Sequence, residues 1–209
     1  MKPAADTLRT GARRILGREL SQSEADKLNN YRKLLMKWQT VHRLAGSDRP
    51  EWIVEHLILH SLLFLRAIPL PIAGTGEAKI LDFGSGAGVP GVPLAAVLAR
   101  VEVTLLESRQ RRASFLSEVI RAVPLPNCRV VAERAETVVE SLAGSFDAVV
   151  MRCAGDPADV VPAAKRFVAS GGVLVMSGPP QSFPVLEGEW LEVEGFKPPA
   201  RRRFLVIHC

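Results

Sequence analysis

Residues Lys79 to Gly91 read Lys-Ile-Leu-Asp-Phe-Gly-Ser-Gly-Ala-Gly-Val-Pro-Gly, with glycines at 84, 86, 88 and 91. A short apolar run that ends in closely spaced glycines, followed by the apolar stretch Val92 to Leu98, predicts a buried strand, a tight turn and a helix. Glycine suits such a turn because the backbone must take positive φ and approach a ligand closely, while free N–H groups at the helix start face the same space. Gly86, Gly88 and Gly91 fit the G-x-G-x-x-G spacing of dinucleotide turns, which is a weak signal by itself. Two features point to a different ligand. The first glycine after the strand is Gly84, two residues ahead of that frame, and Asp82 places a carboxylate at the lip of the turn. That charge repels a pyrophosphate and attracts an ammonium or a sulfonium. A second apolar run, Val101 to Leu106, ends in Glu107. This is the place where a nucleoside-binding sheet puts the acid that accepts both ribose hydroxyls.

Asp-x-Gly-x-Gly-x-Gly with a later acid resembles the pattern of S-adenosylmethionine-dependent methyltransferases. Ligands of such sheets bind at the carboxyl ends of the strands, so those ends are read in turn. After the third predicted strand come Ala135, which offers apolar and backbone contact to an adenine, and Glu136, which can accept its amino group; the same residues also suit an ordinary helix opening. After the fourth comes Arg152, a fixed cation suited to positioning a base or a phosphate. Cys153 has no preceding proline and no nearby base to ionise it, so it reads as a core or wall thiol. His56 and His60 lie one helical turn apart without a third ligand at fitting spacing, so no metal site is expected.

Elements that would position these residues follow from periodicity. Ser21 and Glu24 form a possible capping box before Leu28, Tyr31, Leu35 and Trp38, an amphipathic helix; a basic helix with Arg9, Arg13, Arg14 and Arg18 precedes it. Asp48 is expected to cap a third helix with Pro50 in its first turn, apolar on most sides and ending by Pro69. Pro69, Pro71, Gly74 and Gly76 mark a boundary between an N-terminal helical extension, 1–76, and a main domain, 77–209. In the main domain strands near 79–83, 101–107, 128–132, 146–151 and 172–177 alternate with helices near 91–99, 110–122, 136–142 and 158–169, and two further strands, near 189–194 and 203–208, follow without a helix between them. The expected fold is α/β and Rossmann-like: a mostly parallel seven-stranded sheet with an antiparallel C-terminal pair.

The 209 residues are 47% hydrophobic and 23% charged, ordinary values for a globular chain that buries a core. No apolar stretch is long enough to span a membrane, and the basic N-terminus lacks an export signal. Cys128, Cys153 and Cys209 are far apart and odd in number, which suggests reduced thiols and a cytoplasmic location. A net charge of +5 and a pI of about 9.4 favour an anionic partner.

Leu81-Asp82-Phe83-Gly84-Ser85-Gly86-Ala87-Gly88-Val89-Pro90-Gly91-Val92-Pro93-Leu94 resembles the signature of the bacterial 16S ribosomal RNA guanine-N7 methyltransferases, the glucose-inhibited division protein B family. Further matches are Leu105-Leu106-Glu107-Ser108, Arg111-Arg112, Phe115-Leu116, Arg134-Ala135-Glu136, Phe146-Asp147, Met151-Arg152, and Tyr31 with Leu34, Leu35, Lys37 and Trp38. The chain departs from the family at Arg43-Leu44-Ala45, at Leu57 to Ser61 and at Ser177-Gly178, and carries Glu107 where the family has Asp. The resemblance implies an S-adenosylmethionine site lined by Gly84, Val89, Ala135, Glu136 and Arg152. It also implies a guanine of the 530 loop as target, with ribosomal RNA or the small ribosomal subunit as partner, no DNA and no membrane, and a monomer. A small-molecule methyltransferase and a non-catalytic RNA-binding relative are the alternative readings. Apolar lining with little salt dependence marks the first, and salt-dependent RNA binding without turnover marks the second.

Overall fold

The structure, a computed structural model, describes residues 4–42, 44–69, 77–152, 156–178, 187–197 and 199–209. Seven strands form one sheet: β1 (Lys79–Phe83), β2 (Glu102–Leu106), β3 (Cys128–Val131), β4 (Phe146–Met151), β5 (Val168–Ser177), β6 (Glu189–Glu194) and β7 (Arg201–His208). Their order is β3-β2-β1-β4-β5-β7-β6, parallel from β3 to β5, with β7 antiparallel to both β5 and β6. The interior strands carry apolar side chains on both faces, as a sheet covered by helices on both sides requires; β1 and β2 are buried at every residue after the first.

Four helices connect the parallel strands: α4 (Gly91–Val97), α5 (Gln110–Ala122), α6 (Ala135–Leu142) and α7 (Pro157–Lys165). Before the sheet stand α1 (Ala4–Leu16), α2 (Gln22–His42) and a composite rod α3, which is α-helical at Pro50–Trp52, π-wound at Ile53–Leu59, α-helical again at His60–Leu62 and 3-10 at Leu63–Arg66. The capping box at the start of α2 is formed: the Ser21 N–H donates to Glu24 Oε2 at 2.7 Å and the Glu24 N–H to Ser21 Oγ at 3.2 Å. The rod is buried on most sides, with Ile53, Val54, Ile58, Leu62 and Phe64 fully covered, and Phe64 meets Phe204 of β7 edge-on at 4.7 Å between centroids. It is thus sandwiched between α1 and the sheet. Gly11 permits the approach of α1, since a Cβ there would overlap the Leu59 side chain.

Two expectations change, and a third is not tested. Arg49, not Asp48, stands at the N-cap of α3 and gives no side-chain cap bond, because Pro50 already presets the first turn. Strand β5 begins at Val168 and α7 ends at Lys165; the bend that Gly171 (φ 78°) allows lets the strand run on through the gap expected between helix and strand. The 1–76/77–209 boundary falls mostly on residues 70–76, outside the described residues.

Candidate functional site

The strand order reverses between β1 and β4, which are paired neighbours, and crossovers leave a crevice at the carboxyl ends of the strands there. On that side opens a cleft of about 400 Å³ lined by Phe83, Gly84, Leu106, Glu107, Ser108, Arg109, Arg112 and the run Glu133 to Glu136. A larger hollow of about 660 Å³ lies at the amino ends, where Asn127 and Arg129 of its lining are engaged in holding the strands and loops. There the Arg129 Nε–H donates to Thr104 Oγ1, and the Asn127 amide donates to the carbonyls of Ala95, Leu98 and Val101. The chemistry therefore concentrates at the carboxyl side.

The turn after β1 is built as the glycines suggest. Gly84, Gly86 and Gly88 have φ of 71°, 56° and 85°, a region other residues rarely adopt. Gly91 has a different reason: a Cβ there would overlap Leu105 Cδ2 and stand 2.7 Å from Asp82 Oδ2, so it lets α4 sit directly on the sheet. Three side chains fix the turn. Glu107 accepts the Gly86 N–H on one oxygen and the Arg109 N–H on the other, both at 2.8 Å. Asp82 accepts the Gly91 N–H at 2.8 Å. Tyr31, from α2, donates its hydroxyl to the Ala87 carbonyl at 2.6 Å.

Asp82 corrects the sequence reading. Its carboxylate is fully buried beneath the turn, on the α4 face of the sheet, and not at the lip of the cleft. Strand alternation sends Phe83 to the opposite face, and Gly91 covers the acid. Burial, opposed by the Gly91 and Ser85 bonds and reinforced by the charge of Glu107, pushes its pKa up to about 7. Oδ1 has no hydrogen-bond partner among the described residues. Asp82 is thus a support of the turn and does not face a sulfonium.

Of the expected site residues the cleft brings together Gly84, Glu107, Ala135 and Glu136. Gly86, Gly88 and Val89 belong to the same turn but do not line the cleft. Arg152 follows β4 on the carboxyl side of the sheet, and its charge reaches Tyr31 of α2 and His56 and His60 of α3. Burial, aided by Arg152, Arg202 and His56, holds His60 down to about 3, so it is neutral at pH 7; its ring sits 6.2 Å from that of Phe204. His56, also lowered by burial, stacks on Trp52 at 5.0 Å. Among the described residues no cluster of three or more metal-binding side chains occurs. Cys153 lies outside the described residues, and burial pushes the Cys128 thiol up to about 12, so it stays protonated.

Two parts of the site were not singled out from the sequence. Arg109 and Arg112 line the cleft, and a Cβ at Gly86 would be 3.6 Å from the Arg112 guanidinium. Arg112 entered only as half of the Arg111-Arg112 match, with no role, and Arg109 gave no signal. The Tyr31 hydroxyl was hidden in an apolar stripe; burial holds it far above its ordinary pKa, so it remains a donor.

The arginines of the basic N-terminal helix and those that open β7 are largely neutralised within the chain. Arg13 pairs with Glu19, Arg14 with Glu194, Arg18 with Glu24, and Arg201 and Arg203 with Glu192. Arg66 adds bonds to the carbonyls of Arg14 and Glu194, which ties α1 to β6.

Comparison with known proteins agrees with this geometry. Residues 24–181 match the GidB family, described as rRNA small subunit methyltransferase G. The chain is 36% identical over 156 residues to the ribosomal RNA small subunit methyltransferase G of Nitrosospira multiformis, covering 75% of this chain and 68% of that protein. It is 35% identical over 178 residues to the protein of the same name from Sorangium cellulosum, covering 84% and 73%. A hypothetical protein of Thermus thermophilus shares the fold, with a TM-score of 0.54 at 21% identity over 72% of this chain and 85% of that one.

Proposed function

The chain belongs to the GidB family of small-subunit ribosomal RNA methyltransferases, and from that premise we propose that it methylates N7 of a guanine in the 530 loop of 16S ribosomal RNA, with S-adenosylmethionine as donor. The observation that carries the reading is the cleft itself, which brings the positive-φ Gly84 at the start of the glycine turn together with Glu107, Ala135 and Glu136. These residues fit the donor. No side chain other than the tip of Arg112 would stand near a Cβ at Gly86, so a ligand meets bare backbone. Glu107 spends one lone pair of each oxygen on backbone N–H groups, and the remaining pairs can accept both ribose hydroxyls. The volume is within the range of small-molecule sites.

In this reading Gly84 and the turn through Gly88 and Val89 hold the amino-acid end, and Ala135 and Glu136 contact the adenine. The donor supplies a methyl group on a sulfonium. Guanine N7 already bears an in-plane lone pair, which forms the new C–N bond as the C–S bond breaks and its electron pair goes to sulfur. No proton has to be removed, so the site needs no general base, and Arg152 cannot act as one at neutral pH. Its role is to position the base beside the cleft. Catalysis then rests on alignment, worth up to about 7–11 kcal/mol in well-oriented systems. The same reading gives ribosomal RNA or the small subunit as partner, a cytoplasmic location and a monomer.

Calorimetry with S-adenosylmethionine, S-adenosylhomocysteine and NAD, together with mapping of methylated nucleotides in 16S RNA from a deletion strain, tests it. Binding of the first two and loss of one N7-methylguanine are expected. Binding of NAD alone, or an unchanged methylation map, would overturn it.

A further inference from the structure

We infer that Tyr31 is a positioning residue for the cofactor turn, through which the N-terminal helices set the affinity of the cleft for the methyl donor. The inference rests on the reading that this turn holds the donor. Two of the three side chains that fix the turn, Asp82 and Glu107, come from the neighbouring strands β1 and β2 or their ends. Tyr31 is the third and comes from α2, 56 residues away in sequence. Its ring is fully buried, and its hydroxyl seats the Ala87 carbonyl at 2.6 Å.

The adjoining peptide leaves little slack. A Cβ at Gly88 would stand 2.8 Å from Val92 Cγ2, 3.1 Å from Leu116 Cδ2 and 3.5 Å from the Tyr31 hydroxyl. Side chains of α4, α5 and α2 therefore converge on the turn at Gly88, while its first residue, Gly84, lines the cleft. Removing the hydroxyl leaves a buried carbonyl without this donor, which favours reorientation of the Ala87–Gly88 peptide. Only part of the population then has the turn in its binding form, and apparent affinity falls by that fraction. Helix α2 is also fastened to α5, by the Trp38 indole N–H on Glu118 at 3.1 Å; that bond is made to no residue of the turn and serves as a control.

The experiment compares the parent, Tyr31→Phe and Trp38→Phe. Affinity for S-adenosylhomocysteine is measured by calorimetry, unfolding by urea, and methylation of small subunits from a deletion strain over a range of donor concentrations. For Tyr31→Phe we expect dissociation constant and donor KM to rise about five- to tenfold with kcat at saturating donor unchanged. Trp38→Phe should lose stability without weakening the ligand. A Tyr31→Phe affinity within twofold of the parent, a fall in kcat with KM unchanged, or equal weakening in both variants would overturn the inference. A parent that does not bind S-adenosylhomocysteine would instead refute the reading of the cleft, and that is seen before any variant is compared.

Discussion

The contributions of two buried titratable groups to the pH dependence of stability should cancel in the parent and reappear in single variants. Asp82 is held protonated in the fold, its pKa moving from 3.8 to about 7, chiefly by burial. A raised folded pKa contributes stability that is fully present below pH 3.8 and is lost as pH rises through about 7. His60 is the opposite case, moving from 6.5 to about 3, again chiefly by burial, with Arg152, Arg202 and His56 adding to it. Its contribution is present above pH 6.5 and is lost as pH falls toward 3. Between pH 3.8 and 6.5 the two slopes therefore have equal size and opposite sign. Each is about 1.4 kcal/mol per pH unit, or roughly 3 kcal/mol over two units. In urea unfolding from pH 4.5 to 6.5 the parent's profile should lie between those of two single variants. Asp82→Asn keeps an acceptor for the Gly91 N–H and removes one slope, so stability should fall on acidification. His60→Gln removes the other, so stability should rise on acidification. His56, lowered in the same direction as His60, and Glu24, lowered by its bond to Arg18, contribute alike to all three proteins. Parallel profiles for the parent and Asp82→Asn would show that Asp82 is ionised in the fold, and the burial argument would fail.

Gly91→Ala should destabilise the fold by about 1–3 kcal/mol in urea unfolding, because the new methyl group meets Leu105 and Asp82 in a filled interior. Gly86→Val forces a branched residue to φ 56° and should abolish S-adenosylhomocysteine binding in calorimetry while leaving a folded protein; normal binding would reduce the turn to a connection. Arg152→Ala should collapse single-turnover methylation at saturating ribosomal RNA, whereas Arg13→Ala and Arg18→Ala should change the salt slope of RNA binding by less than the roughly 0.7 to 0.9 expected per phosphate contact, since their charges are already paired.

Most of the sheet was legible because its strands are short apolar runs bounded by charge or glycine. β1, β4 and β6 fall at the expected bounds. What escaped are properties that depend on partners distant in sequence. The alternation in β1 shows that Asp82 shares a face with Ile80, but not that α4 closes over that face. The π winding of Ile53–Leu59 leaves the apolar content of the rod unchanged and so gives no signal in composition. Residues 170 and 171 fall between the expected helix and strand, yet Gly171 bends a continuous strand where its register with β4 shifts.

Charge was the least legible property, because a count of arginines cannot separate those that meet a partner from those that staple the chain to itself. Arg14 and Glu194 are 180 residues apart in sequence and 2.7 Å apart in the fold. With the N-terminal and C-terminal arginines so engaged, the arginines of the cleft are a separate case: among the described residues the side chains of Arg109, Arg112 and Arg134 form no hydrogen bond or ion pair. They alternate around the cleft with Glu107, Glu133 and Glu136, three charges of each sign. Such a lining carries no net charge, so it offers a polyanion little net attraction from beyond a Debye length of about 8–10 Å. It suits a ligand that itself carries both signs, which S-adenosylmethionine does through its ammonium, sulfonium and carboxylate. Under the proposed function the cleft would favour the donor over a polyanion, and contacts to the RNA backbone would fall to cations outside it.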